Sequence, residues 1–155
     1  RAVKYYPEGM RGLNAVRASD FGMTEPMSEY VKLANQSSVV LAIIETAEAI
    51  DNLAEILAVP GLDGAILGTG DLSQSLGFPG LIDSPQVVMA VERALKAARN
   101  AGKPAGIFVT SEEEACMRLD QGFRYIAYSM DSILFAGTCS RVVKTLRKHM
   151  GCKTE

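Results

Sequence analysis

Val39-Val40-Leu41-Ala42-Ile43-Ile44-Glu45-Thr46 and, further along, Gly64-Ala65-Ile66-Leu67-Gly68-Thr69-Gly70-Asp71 decide how this chain is read. Each begins with an apolar run and ends on, or just after, an acidic residue. The first run is continuous and rich in β-branched residues, the pattern of a strand buried on both faces of a parallel sheet. From Thr46 to Leu57 the period changes to 3.6: Ala49, Ile50, Leu53, Ile56 and Leu57 share one face, with Glu48, Asp51 and Glu55 opposite. Val59-Pro60-Gly61 ends that helix. A second strand at Gly64–Leu67 leads through Gly68-Thr69-Gly70-Asp71 into a short helix at Leu72–Leu76. Two parallel strands so arranged carry Glu45 and Asp71 to the same edge of one sheet, the edge at which α/β proteins bind ligands.

Outward from this pair the pattern repeats. Ser84-Pro85 is a helix start, with Ser as cap and Pro in the first turn. Val88, Val91, Leu95 and Ala98 form the buried face of that helix, and Gly102 ends it. Pro104–Val109 reads as a third strand. Ser111 caps a helix with Glu112, Glu113 and Glu114 in its first turn, where the helix dipole favours acid. Gly122 ends it, Tyr125–Tyr128 reads as a fourth strand, and a last helix runs from about Ser132 to Lys148. Residues 1–26 read as irregular, after which Pro26 opens a helix with Met27, Tyr30, Val31 and Ala34 at helical spacing.

Four consecutive βα units predict parallel strands with right-handed crossovers. The fold class is therefore α/β: an open four-stranded sheet or part of a (β/α)8 barrel. A whole barrel takes about 250 residues, roughly 100 more than are present here. The 155 residues suffice for one domain, 1–155, with a sizeable core. A net charge of −2 and the lack of a basic stripe argue against nucleic acid as a partner. There is no apolar run of membrane-spanning length and no visible signal peptide. The three cysteines, Cys116, Cys139 and Cys152, lack any CxxC pairing and read as buried or incidental thiols of a cytoplasmic protein.

Magnesium and manganese favour oxygen donors and often take one or two protein carboxylates, with water and substrate oxygens completing the shell. Glu45 and Asp71 suit such a site. An acid after a strand also serves as a helix cap, and spacing alone leaves both roles open. Gly68-Thr69-Gly70-Asp71 adds small residues at a helix start, where free N–H groups and the dipole attract anions. It is not a dinucleotide fingerprint, since GxGxxG needs glycine at Ser73. A cation next to a carboxylate-binding nest points to a 2-oxo acid as ligand, with the cation as Lewis acid.

Ile44-Glu45-Thr46-x-Glu48-Ala49, Gly61-Leu62-Asp63-Gly64, Gly68-Thr69-Gly70-Asp71-Leu72-Ser73 and Leu76-Gly77-Phe78-Pro79-Gly80 together resemble the HpcH/HpaI aldolase family. These are metal-dependent (class II) pyruvate aldolases built on a (β/α)8 barrel. The resemblance extends to Tyr6-Pro7-Glu8-Gly9-Met10-Arg11-Gly12 and Arg17-Ala18-Ser19 upstream and to Gly102-Lys103-Pro104-Ala105-Gly106-Ile107 downstream. It implies that the four strands are the fifth to eighth of the barrel. It also implies reversible cleavage of a 4-hydroxy-2-oxo acid to pyruvate and an aldehyde. Glu45 and Asp71 would ligate Mg2+, Mn2+ or Co2+, the segment with Gly68, Gly70 and Asp71 would bind the pyruvyl carboxylate, and Leu13 would line the aldehyde pocket. A homo-oligomer, commonly a hexamer, is implied too.

The sequence departs from the family in ways that matter. The usual Gly-Pro-Ala-Asp is Gly-Thr-Gly-Asp, and a common glutamine two positions before the metal glutamate is Ile43. The family's histidine–aspartate base and its arginine lie on earlier strands, which these residues do not include; the only histidine, His149, reads as a surface residue. The chain is thus expected to be the C-terminal half of a barrel with no catalytic base of its own. Arg11 and Arg17 read as surface or interface cations, with contact to an acidic substrate as the other option, and Asp131 as a helix cap. Tyr125 and Tyr128 are expected to pack in the barrel wall. Two alternatives remain: an acyl-CoA lyase like citrate lyase β or malyl-CoA lyase, and a non-catalytic half barrel.

Overall fold

A computed structural model describes residues 1–151. After a 3-10 turn at Arg17–Gly22, the elements in chain order are α1 (Met27–Ser37), β1 (Leu41–Ile44), α2 (Ala47–Asp51), α3 (Leu53–Ala58), β2 (Gly64–Leu67) and α4 (Thr69–Ser75). There follow α5 (Pro85–Asn100), β3 (Ala105–Val109), α6 (Glu112–Gln121), β4 (Tyr125–Tyr128) and α7 (Asp131–His149). The strands form one parallel sheet in the order β1-β2-β3-β4.

The sheet register explains the core. Ile44 lies opposite Leu67, Leu67 opposite Ile107, and Ile107 opposite Ile126. The first three of these are 1%, 1% and 0% exposed. Alternation along each strand sends this row to one face. The core there also contains Leu53 and Leu57 of α3, Leu72 of α4, Val87, Ala90, Val91, Ala94 and Ala98 of α5, and Phe123. The small residues of α5 sit at spacings of three and four, which lets the longest core helix approach the sheet closely. The opposite face, carrying Ile43 and Tyr125, is open: Ile43 is 62% and Tyr125 50% exposed.

Three boundaries differ from those read off the sequence. The first strand starts at Leu41 because Val40 is engaged elsewhere: its N–H donates to Asp63 Oδ2 (2.6 Å) and its carbonyl accepts from the Asp63 N–H (2.8 Å). The helix expected from Thr46 to Leu57 is broken at Asn52, whose φ/ψ of −94°/14° leaves the α region. Asparagine is a weak helix former because its side chain competes for backbone hydrogen bonds. The short helix after β2 begins at Thr69, earlier than expected, so that Asp71 belongs to its first turn.

Helix ends follow the sequence more closely. Ser111 Oγ accepts from the Glu114 N–H at 3.1 Å, and Gly122 closes α6 with φ of +104°. It is this left-handed backbone that calls for glycine; the only atom a Cβ there would crowd is Arg99 Nη2, the end of a flexible side chain. Ser84 precedes α5 as expected, but its hydroxyl is buried and makes no capping bond. Met130, not Asp131, is the N-cap of α7; Asp131 Oδ1 accepts from the adjacent Ser132 N–H instead. Cys116 and Cys139 are exposed rather than buried, and Cys152 lies outside the described residues. Tyr125 packs over Gly106, where a Cβ would meet its ring at 2.8 Å, and both it and Tyr128 keep an exposed side.

All described residues of α7 are exposed, including Phe135, Val142 and Leu146. No described helix is long and apolar enough to cross a membrane. Two outcomes follow from this packing. Ile107→Ala should cost about 2–5 kcal/mol in urea unfolding, as for a fully buried aliphatic side chain. The 155-residue chain, with an open sheet face and apolar α7 residues uncovered, should self-associate; a stable monomer in sedimentation velocity at micromolar concentration would contradict that.

Candidate active-site edge

The sheet edge formed by the C-terminal ends of β1 and β2 gathers the acidic and glycine residues. The ladder continues one step past the paired residues, with the Gly68 N–H donating to the Ile44 carbonyl at 3.1 Å. Glu45 and Gly68, each one residue beyond the Ile44–Leu67 pair, are therefore neighbours on adjacent strands. The glycine permits the contact: a Cβ at position 68 would lie 3.1 Å from Glu45 Oε2 and 3.2 Å from Glu45 Cβ. The Glu45 side chain thus lies across the Gly68 backbone, half-buried.

The two helices at this edge are started by other residues. Thr46 caps α2, its Oγ1 accepting from the Ala49 N–H at 3.1 Å. Gly68 is the N-cap of α4, its carbonyl accepting from the Leu72 N–H at 3.0 Å. Asp71, third residue of α4, is past the capping position. Neither Glu45 nor Asp71 accepts a hydrogen bond or forms an ion pair with any described residue. The capping role left open by spacing is therefore filled elsewhere, and both carboxylates are free. The N–H groups of Thr69, Gly70 and Asp71 open the helix and have no acceptor within it.

Two serines that the sequence did not single out hold α4 in place. Ser73, fully buried, donates to the Gly70 carbonyl at 2.6 Å and accepts from the Gly80 N–H at 3.0 Å. Ser75 Oγ accepts from the Ala47 N–H at 2.9 Å, joining α4 to the start of α2. Ser75 thus ties the helix carrying Asp71 to the element that follows Glu45, and Ser73 ties it to the turn at Gly80. The available signal was serine inside a helical segment, where its hydroxyl commonly bonds backbone.

The remaining candidates are not assembled here. Leu13 lies in the irregular segment before the Arg17–Gly22 turn, outside the elements that build the edge, and is exposed. Arg11 stacks over the Tyr5 ring at 5.0 Å. That ring packs edge-on to Tyr30, and the Tyr5 backbone is clasped by Asn35, whose Oδ1 accepts at 2.7 Å and Nδ2 donates at 3.0 Å. The Tyr30 hydroxyl is raised above its ordinary pKa, chiefly by its side-chain hydrogen bond with Tyr5. Neither Arg11 nor Arg17 forms an ion pair among the described residues. His149 is exposed at the far end of α7, which starts at the sheet edge and rises about 28 Å over its 19 residues.

The division of labour at this edge has a direct consequence for stability. Thr46→Ala removes a cap and should cost about 0.5–2 kcal/mol. Glu45→Gln and Asp71→Asn remove no such bond and should stay within about 0.5 kcal/mol of the parent in urea unfolding. A loss of more than about 1 kcal/mol for either amide variant would show a structural role missing from these contacts.

Comparison with known proteins fits these features. Residues 1–137 match the sequence model of the HpcH/HpaI aldolase/citrate lyase family. The 4-hydroxy-2-oxo-heptane-1,7-dioate aldolase of Salmonella typhimurium is 41% identical over 137 residues, 87% of this chain and 51% of the relative. An HpcH/HpaI aldolase/citrate lyase family protein from Burkholderia cenocepacia J2315 superimposes with a TM-score of 0.79 at 32% identity, covering 94% of this chain and 57% of the other. The HpcH/HpaI aldolase of Desulfitobacterium hafniense DCB-2 does so with a TM-score of 0.80 at 29% identity, covering 95% and 57%. The chain spans about half the length of the curated relatives it matches. Its four βα units are a partial (β/α)8 barrel, and the chain belongs to the HpcH/HpaI aldolase/citrate lyase family.

Proposed function

We propose that this chain carries the cation- and carboxylate-binding part of a site for aldol cleavage and condensation of 4-hydroxy-2-oxo acids, with pyruvate and an aldehyde as cleavage products. One observation carries the proposal: one carboxylate directly follows β1, the other lies in the first turn of the helix after the adjacent parallel strand β2, and neither is used by a cap or an ion pair among the described residues. The relatives' names give the reaction class.

The donor set fits a hard divalent cation such as Mg2+, Mn2+ or Co2+. Two uncompensated carboxylates supply anionic oxygen, and Gly68 leaves Glu45 room to lie across the strand end. Glu45 and Asp71 would hold such a cation, which would supply Lewis acidity to a 2-oxo group and so make the neighbouring carbon more acidic. The free amides at Gly70 and Asp71, at the positive end of α4, receive the substrate carboxylate. Ser73 and Ser75 keep those amides in register with Glu45. Leu13, reached from the N-terminal segment, is assigned to the aldehyde side on family resemblance alone.

Proton transfer needs a base that these four units do not place at the edge. We assign it to a part of the barrel that this chain does not span. The 155-residue chain is accordingly expected to bind Mn2+ and to cleave no 4-hydroxy-2-oxo acid. Cleavage by the purified chain, abolished by Glu45→Ala, would overturn that assignment.

Titration calorimetry with Mn2+ tests the metal role. Glu45→Gln and Asp71→Asn should each weaken binding by more than about a hundredfold, beyond the usual cost of losing an outer partner of a metal ligand. Gly68→Ala should weaken it while leaving the fold intact, because its new Cβ presses on Glu45. Equal Mn2+ affinity in the parent and both carboxylate variants would refute the proposal.

A further inference from the structure

At the other end of the strands, where α5 turns into β3 and α6 turns into β4, lies a cleft with a cavity volume of ≈ 350 Å³. Gly102 and Gly122 end the two helices in left-handed backbone, with φ of +66° and +104°, so the chain reverses at once into each strand. The turns carry cations into the cleft. Arg99 stands in the last turn of α5, Lys103 directly follows Gly102, and Arg124 lies two residues after Gly122. Leu95 and Pro104 supply an apolar wall, and no described carboxylate lines the cleft. Arg99 is held in place: its Nη2 donates to the Gln121 carbonyl at 3.2 Å, over the bare backbone of Gly122. Lys103 Nζ donates to the Val59 carbonyl at 3.4 Å. The Arg124 side chain donates to no described residue, and none of the three cations forms an ion pair among the described residues.

Part of this charge serves the helices, because α5 and α6 both direct their C-terminal ends here. Each helix end carries about half a negative charge, so the two amount to about one. The three side chains exceed that and leave a surplus of roughly two positive charges, in a chain whose net charge is −2. We propose that this cleft binds the phosphate group of a small phosphate monoester. Its dianion matches the surplus charge. Two guanidinium forks and one ammonium suit the oxygens of a tetrahedral anion, and Leu95 and Pro104 take the organic part. The five residues of β3 span about 13 Å, which keeps such a ligand out of contact with a cation at Glu45 and Asp71. It acts on stability, tying together the two turns that feed β3 and β4.

Calorimetry at pH 7.5 in metal-free buffer, with glycerol 3-phosphate, inorganic phosphate and succinate as probes, tests this. Glycerol 3-phosphate should bind at one site per chain. Inorganic phosphate, which lacks the organic part, should bind at least about threefold more weakly, and succinate, with its charge split between two groups, about tenfold more weakly. Arg124→Gln and Lys103→Gln should each weaken glycerol 3-phosphate binding by about tenfold, the effect of losing a hydrogen bond to a charged oxygen. The same ligand should raise the melting temperature of the parent and leave that of Arg124→Gln unchanged. Circular dichroism of the ligand-free variants verifies folding; if Lys103→Gln does not fold, Arg124→Gln decides alone. Inorganic phosphate or succinate bound as tightly as glycerol 3-phosphate overturns the assignment to a phosphate monoester. So does the absence of binding at about 10 mM ligand. Binding that both variants leave within about twofold of the parent lies elsewhere on the chain and overturns the role of this cleft.

Discussion

A single backbone hydrogen bond, from the Gly68 N–H to the Ile44 carbonyl, sets the geometry on which the rest of the molecule depends. It extends the β1–β2 ladder one residue beyond the Ile44–Leu67 pair and so brings Glu45 level with Gly68. A register slip of one residue would turn Ile44 out of the core and Glu45 into it. Both outcomes are costly: the first exposes a large aliphatic side chain, the second buries a carboxylate without a partner. The apolar row Ile44, Leu67 and Ile107 therefore enforces the position of the acidic residue that follows it.

The same constraint separates stability from chemistry along each strand. Residues facing the helices are aliphatic and nearly inaccessible, and α5 packs over them with small side chains. Residues facing the other way include glycines, Ile43 and Tyr125, and lead up to Glu45. At the edge, capping falls to Thr46 and to the Gly68 carbonyl, while Ser73 and Ser75 anchor α4. The polar groups with structural duties are thus distinct from the two carboxylates, which keep their charge uncompensated by the described residues.

Much of this was legible in the sequence. Four apolar runs separated by helical periods gave the four βα units in order, because parallel strands buried by helices need continuous hydrophobicity. The glycine that ends α6 and the serine that starts it were legible because left-handed φ and side-chain capping demand particular residue types. The break at Asn52, the loss of Val40 from the first strand and the early start of α4 were not. Each depends on a partner distant in sequence or on local geometry that composition does not encode; Asp63, for example, takes both backbone groups of Val40. The site shows the same division. Glu45 and Asp71 were visible as acids following strands, but spacing could not separate ligand from cap. Setting the cap role aside required knowing that Thr46 and Gly68 begin the helices. The contact of Ile43, Glu45 and Gly68 is likewise three-dimensional, since it joins two strands through the space left by a missing side chain.

Diffraction from crystals of this protein grown with Mn2+, recorded near the manganese absorption edge, tests the central claim most directly. The account predicts one strong anomalous peak bound by both Glu45 and Asp71, at roughly the 2.0–2.2 Å expected for a small hard divalent cation and carboxylate oxygen. Manganese bound elsewhere, with Glu45 and Asp71 ordered and uncoordinated, would contradict it.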